Sequence, residues 1–128
     1  MRLLLDTHAF LWAVLDPRCL SARVRLLLAE PATEVVVSTA SAWEIATKFR
    51  LGKLPGANAV VTDYAAAING LQARSLAIRD SHALRAGSFP QPHTDPFDRM
   101  LVAQAEIEGL TLVSKDRALR QFDIDLLW

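Results

Sequence analysis

Hydrophobic positions in this chain come in short blocks closed by polar or turn-forming residues. Leu3-Leu4-Leu5, opened by Arg2 and closed by Asp6-Thr7, predicts a short buried strand over 2–5. Ala9 to Leu15 is apolar on every side until Asp16-Pro17 stops it, so this helix is either deeply buried or covered by a partner. Ser21 is placed to cap a second helix, 22–30, which Pro31 ends and which carries Arg23 and Arg25 on its outer side. Val35-Val36-Val37 predicts a strand over 34–37, because β-branched side chains fit a pleated surface.

A helix follows to about Leu51, with Ile45, Phe49, Ala42 and Ala46 on its inner face and Gly52 at its end. Residues 53–58, with Pro55 and Gly56, form a loop before an alanine-rich helix over 59–71. A strand is expected at 76–78, a helical turn or two at 81–86, and a proline loop at 87–92. Asp95-Pro96 opens the next helix, 97–108, which Gly109 stops. A strand at 111–113, a short helix at 117–121 and a last strand at 124–127 complete the pattern. Strands alternating with helices argue for βαβ units and a parallel sheet covered on both faces, within one domain spanning 1–128.

Composition narrows the chemistry. Over half of the 128 residues are hydrophobic, enough for a core without disulfides, and Cys19 is alone, so a cysteine-rich zinc site is excluded. No apolar run approaches the ~20 residues of a membrane span, and Asp6 interrupts the apolar start far short of a signal segment; a cytoplasmic protein is expected. Fourteen bases balance 14 acids, which argues against gripping nucleic acid by net charge alone. Setting four acids aside for a metal leaves a mild basic excess, so the balance decides nothing.

Four acids do stand out. Asp6 and Asp116 follow strands, Glu44 lies shortly after the valine strand, and Asp98 sits in the first turn of a helix. In a parallel sheet, function collects at the carboxyl ends of the strands, and all four belong to that edge. Each also has a structural reading: Asp6 and Asp116 as helix caps, Glu44 as the end of a Ser41-Ala42-Trp43-Glu44 capping box or the partner of Lys48, and Asp98 as a favourable charge near a helix N-terminus. Jointly, four carboxylates at one edge repel unless protons or a cation neutralise them. Oxygen ligands of this kind suit Mg²⁺ or Mn²⁺, while His8, His82 and His93 lack the spacing of a zinc site. Lys48, Arg99, Lys115 and Arg117 are candidates for phosphate contacts, with solvated ion pairs the competing use.

Taken together, Leu4-Leu5-Asp6-Thr7, Ser41-Ala42-Trp43-Glu44-Ile45-Ala46 with Lys48 and Gly52-Lys53-Leu54, His93-Thr94-Asp95-Pro96-Phe97-Asp98-Arg99 with Ala103-Gln104-Ala105, and Leu112-Val113-Ser114-Lys115-Asp116 resemble the PIN-domain nucleases. More narrowly, they resemble the VapC-like toxins of toxin–antitoxin pairs. The resemblance implies a three-layer α/β/α sandwich around a parallel sheet. It implies a metal-binding catalytic quartet on Asp6, Glu44, Asp98 and Asp116, with Ser114 as a hydroxyl near the metal. Asp95 is a further acid of the subgroup; it competes with Asp98 for third place in the quartet, and an N-cap is its preferred role. The resemblance further implies Mg²⁺- or Mn²⁺-dependent endonucleolytic cutting of RNA (tRNA or a structured ribosomal segment), a homodimer, and an antitoxin that covers a groove near the site, for which Trp12 is the candidate contact.

Two other functions compete. A phosphatase-like fold wants a second aspartate two residues after Asp6, where His8 stands, and a phosphoacceptor domain wants an acid pair after the first strand that is missing here. A serine hydrolase lacks its G-x-S-x-G elbow. A catalytically idle module that binds RNA or protein is the non-enzymatic alternative, and the intact acids argue against it.

Overall fold

In a computed structural model describing residues 1–128, five short strands form one wholly parallel sheet. They are β1 (Arg2–Leu5), β2 (Glu34–Ser38), β3 (Arg74–Leu76), β4 (Thr111–Val113) and β5 (Leu126–Leu127), in the spatial order β3-β2-β1-β4-β5. β1 is central: Leu3 and Leu5 pair with Val35 and Val37 on one side and with Thr111 and Val113 on the other. The connections run outward in both directions from β1, so the sheet has its topological switch point between β1 and β4.

Strand alternation builds the layers. Leu3, Leu5, Val35, Val37 and Val113 face one side, where they pack with Ala9, Phe10, Val24, Ile45, Val60 and Ile68. These come from α1 (Thr7–Leu15), α2 (Ala22–Ala29), α3 (Thr39–Arg50), α4 (Asn58–Thr62) and α5 (Tyr64–Gly70). Leu4, Val36 and Leu112 face the other side, against Leu101, Val102 and Ala105 of α7 (Pro96–Glu108) and Ala86 of α6 (Asp80–Ser88). The result is the α/β/α sandwich. α1 is only partly buried: Phe10 and Leu11 are enclosed, Trp12 to Val14 are half-buried and Leu15 is exposed.

Four local expectations change. The helix expected over 59–71 is broken at Asp63, which leaves the helical region and caps α5 by accepting from the Ala66 N–H at 3.1 Å. The strand expected at 76–78 lies at 74–76, because a tight turn with Gln72 at φ 52° delivers Arg74 into register with Val36. The last strand contracts to two residues paired with Leu112 and Val113. Ser41 is not a cap: α3 starts at Thr39, and the Ser38 hydroxyl caps it by accepting from Ala40 N–H at 3.0 Å. Glu44 therefore sits in the second turn, its carboxylate released from capping. No helix is long and apolar enough to cross a membrane.

Candidate active site

The parallel arrangement brings the ends of β1, β2 and β4 to one edge, and the acids follow from it. Asp6 is the first residue after β1; its amide donates to Val113 O at 3.0 Å, and its Oδ1 accepts from Ala9 N–H at 2.8 Å. It caps α1 and faces the cleft at once. Asp95 caps α7 by accepting from the N–H groups of Phe97 and Asp98 at 2.9 and 3.1 Å, with Pro96 at the first helical position. That turn places Asp98 over the sheet edge. Asp116 caps the short 3₁₀ turn 117–121 by accepting from Ala118 N–H at 2.9 Å, while its own amide donates to Ser114 Oγ at 3.1 Å.

Asp6, Glu44, Asp95, Asp98 and Asp116 line a single cleft of about 420 Å³, together with Thr7, His8, Trp12, Lys48 and Lys115. Five carboxylates thus face two ammonium groups, an excess of three negative charges. Burial pushes the Asp98 carboxyl up to about 6 against the pull of its His93 hydrogen bond, with Asp95 and Glu44 adding repulsion. Burial also raises Asp6, which the Ser114 hydroxyl and the Ala9 N–H only partly offset. Buried carboxylates that resist ionisation next to one another are what a divalent cation relieves. The donor set, carboxylate oxygens with the imidazoles of His8 and His93 nearby, fits Mg²⁺ or Mn²⁺.

Glu44 is held on both oxygens. Thr7 Oγ1 donates to Oε1 at 2.6 Å, and Lys48, one turn along α3, bonds Oε2. Ser41 Oγ lies 3.0 Å from the same threonine hydroxyl. Partial burial pulls the Lys48 ammonium down, but Glu44, Asp95 and Asp98 outweigh it and its pKa is raised. Lys48 thus serves Glu44 first. Thr7→Val, nearly isosteric, leaves Oε1 without its donor; a loss of about 1–3 kcal/mol is expected in urea unfolding, with weaker metal binding in calorimetric titration. Unchanged values in both would show that the hydroxyl is idle.

Sequence reasoning missed His93. Its Nε2 lies 2.9 Å from Asp98 Oδ2, and His93, Asp98 and Asp116 offer ligand atoms all within 4.8 Å of one another. Sequence spacing rules the histidines out only as a zinc set and assigns His93 no role; a loop, not a helical repeat, brings it back to the acids. The only signal was its place five residues before Asp98.

Arg99 also has a different role from the one expected. Its guanidinium donates to the carbonyls of Ala86 at 2.8 Å, Phe89 at 2.7 Å, and Gln91 and His93 both at 2.9 Å. Four of its five N–H donors are engaged within the chain, so it clamps the end of α6 and the loop that follows it, and is not a free phosphate contact. Phe97, adjacent to it, is half-buried and packs edge-on against the exposed Trp43, 4.9 Å between centroids.

Solved structures that share this fold include three toxin–antitoxin complexes. They are VapBC2 from Rickettsia felis bound to a promoter DNA fragment (15% identity, TM-score 0.73, 99% of this chain and 98% of that one), DNA-bound VapBC from Salmonella typhimurium (18%, 0.63, 99% and 97%), and VapBC-1 from nontypeable Haemophilus influenzae (16%, 0.60, 99% and 97%). No curated protein matches the chain. The sequence model of the PIN domain matches residues 3–125, nearly the whole length, with all four acids inside it. The chain therefore belongs to the PIN domain family, whose fold is that of a nuclease.

Proposed function

We propose that the protein is a divalent-metal-dependent endoribonuclease, the toxin of a toxin–antitoxin pair. The observation that carries this reading is the gathering of Asp6, Glu44, Asp98 and Asp116 in one cleft with an excess of negative charge. These four residues hold Mg²⁺ or Mn²⁺, with Ser114 orienting Asp6 and Asp116 from between them. A bound divalent ion supplies Lewis acidity and positive charge at the scissile phosphate. The chain does the rest. Thr7 and Lys48 fix the Glu44 carboxylate, and His93 takes Asp98 Oδ2 and leaves Oδ1 without a protein partner. Lys115, unpaired at the cleft wall, is placed to meet a phosphate oxygen. Hydrolysis forms a bond from water oxygen to phosphorus and breaks the bond to the leaving ribose oxygen, which takes up a proton.

The structural neighbours are VapB–VapC assemblies, which supports a cognate antitoxin as partner here. Trp12, half-buried on the cleft wall, is its candidate contact, and a homodimer is the proposed assembly. The test is incubation of the purified protein with tRNA and a structured ribosomal fragment. Cutting with Mg²⁺ or Mn²⁺ and none in EDTA is expected; cutting that survives EDTA, or none with either ion, would overturn the reading.

A further inference from the structure

A second depression, about 800 Å³, runs alongside the acid cleft and shares Lys115 and Asp116 with it. Its walls carry Arg23, Lys115, Arg117 and Arg120, and its sole acid is Asp116, at the shared end. None of these four cations forms an ion pair, and none of their side chains donates a hydrogen bond within the chain. Arg2, Arg18, Lys48, Arg74 and Arg85 are each paired with a carboxylate, and Arg99 is spent on carbonyls; Arg25, Arg50, Lys53 and Arg79 are also unpaired, but they line neither depression. The fold thus keeps a group of unsatisfied cations beside its most acidic feature. Apart from the Lys115 ammonium, which lies 6.0 Å from the centroid of the Trp12 ring, these groups have no structural use there that the contacts reveal.

The floor of the depression is apolar and partly aromatic, with Phe122, Ile124, Leu126 and Trp128. Trp128 is half-buried and its ring centroid lies 5.7 Å from that of Trp12, tilted by 58°. Trp12 in turn lines the acid cleft. The two indoles make a continuous aromatic step from the acids to the cations. A backbone of phosphates with unpaired bases fits this sequence of surfaces: cations for the phosphates, an indole face for a base. A duplex does not, because its base faces are stacked inside.

We propose that this basic groove is the track for a single-stranded stretch of RNA flanking the scissile phosphate, with Arg117 and Arg120 on phosphates and Trp128 stacked on a base. The proposal rests on the nuclease reading for its direction, since it runs the strand from the groove into the acid cleft. A protein segment laid in the groove, such as an antitoxin tail, is the competing occupant. The unpaired cations favour the polyanion.

The test is fluorescence anisotropy of a labelled single-stranded oligoribonucleotide in EDTA, across a salt series, with a duplex of the same sequence alongside. The double variant Arg117→Gln/Arg120→Gln should bind about tenfold or more weakly. Its slope of log affinity against log salt should be shallower by about 1.4, two phosphates at ~0.7 each. Trp128→Leu should lose about five- to a hundredfold in affinity with the slope unchanged, because stacking is not ionic. Arg50→Gln/Lys53→Gln, which removes two cations outside the groove, is the control for net charge. With metal present, the groove variants should raise KM and leave kcat within about twofold.

Wild-type affinity and slope in the arginine double variant would overturn the groove assignment, as would an equal loss in the control. Intact RNA binding together with lost antitoxin binding would assign the groove to the protein partner instead. The two readings fail separately. Groove-dependent RNA binding without metal-dependent cutting sinks the nuclease and leaves the track; cutting with a wild-type KM in the variants sinks the track and leaves the nuclease.

Discussion

Asp98→Asn is expected to abolish cleavage and, in the same molecule, to stabilise the metal-free fold. The loss should exceed about a hundredfold in kcat/KM, because asparagine offers a neutral oxygen where the site needs a charged one. The gain comes from the same property. The Asp98 carboxyl is pushed up to about 6 from 3.8 by burial, so ionising it costs more in the folded chain than in the unfolded one. At pH 7.5 the wild type bears that cost, at most about 3 kcal/mol by the energy of a two-unit shift, and the asparagine variant does not. The sign with pH follows. Between about 4 and 6 the folded chain holds the proton more tightly than the unfolded chain, so metal-free stability of the wild type falls as pH rises through this window. The variant should be the more stable above pH 6, and the difference should close toward pH 4. Urea unfolding in EDTA at several pH values measures it. A variant less stable than wild type at pH 7.5 would mean that the His93 contact outweighs the cost of burial.

Arg99→Met is the second large effect, and it should fall on folding before it falls on catalysis. Removing the guanidinium strips hydrogen bonds from four carbonyls between Ala86 and His93. Some of these reach water afterward, so a loss of about 3–5 kcal/mol is expected rather than the full sum. Arg99→Lys keeps the charge, but one ammonium cannot reach four carbonyls spread across the loop; about half the loss should remain. His93 is in that loop, so metal affinity should drop in both variants while the other acids stay in place. A phosphate contact predicts the opposite: normal unfolding, normal metal binding and a raised KM. Should Arg99→Met fail to fold, the lysine variant still separates the two.

The edge of the sheet was legible in the sequence because strand ends and caps are local events. Leu5-Asp6, Val113-Ser114 and Asp95-Pro96 each declare a boundary within a few residues, and parallel pairing does the rest. Glu44 was legible as a residue but not as a geometry. A serine three positions earlier imitates a capping box, yet Ser38 takes the cap because β2 runs one residue further and hands its own last hydroxyl to α3. Arg99 and His93 were opaque for a different reason. Both act through a loop with no periodicity, and an arginine beside an acid looks the same whether it faces solvent or four carbonyls. The basic groove was hidden too, since Arg23 and Arg120 are nearly a hundred residues apart and only the closed fold sets them side by side.

The central place of β1 has a consequence for synthesis. Leu3 finds its β4 partner at Thr111, more than a hundred residues later, and Asp98 and Asp116 are supplied by that late segment. A chain still emerging from the ribosome can pair β1 with β2 and place Asp6 beside Glu44, but half of the acid cluster does not yet exist. Completing the cleft therefore waits until Asp116 and the turn it caps have left the ribosome, and until then the ribosome that makes the protein works beside an incomplete nuclease.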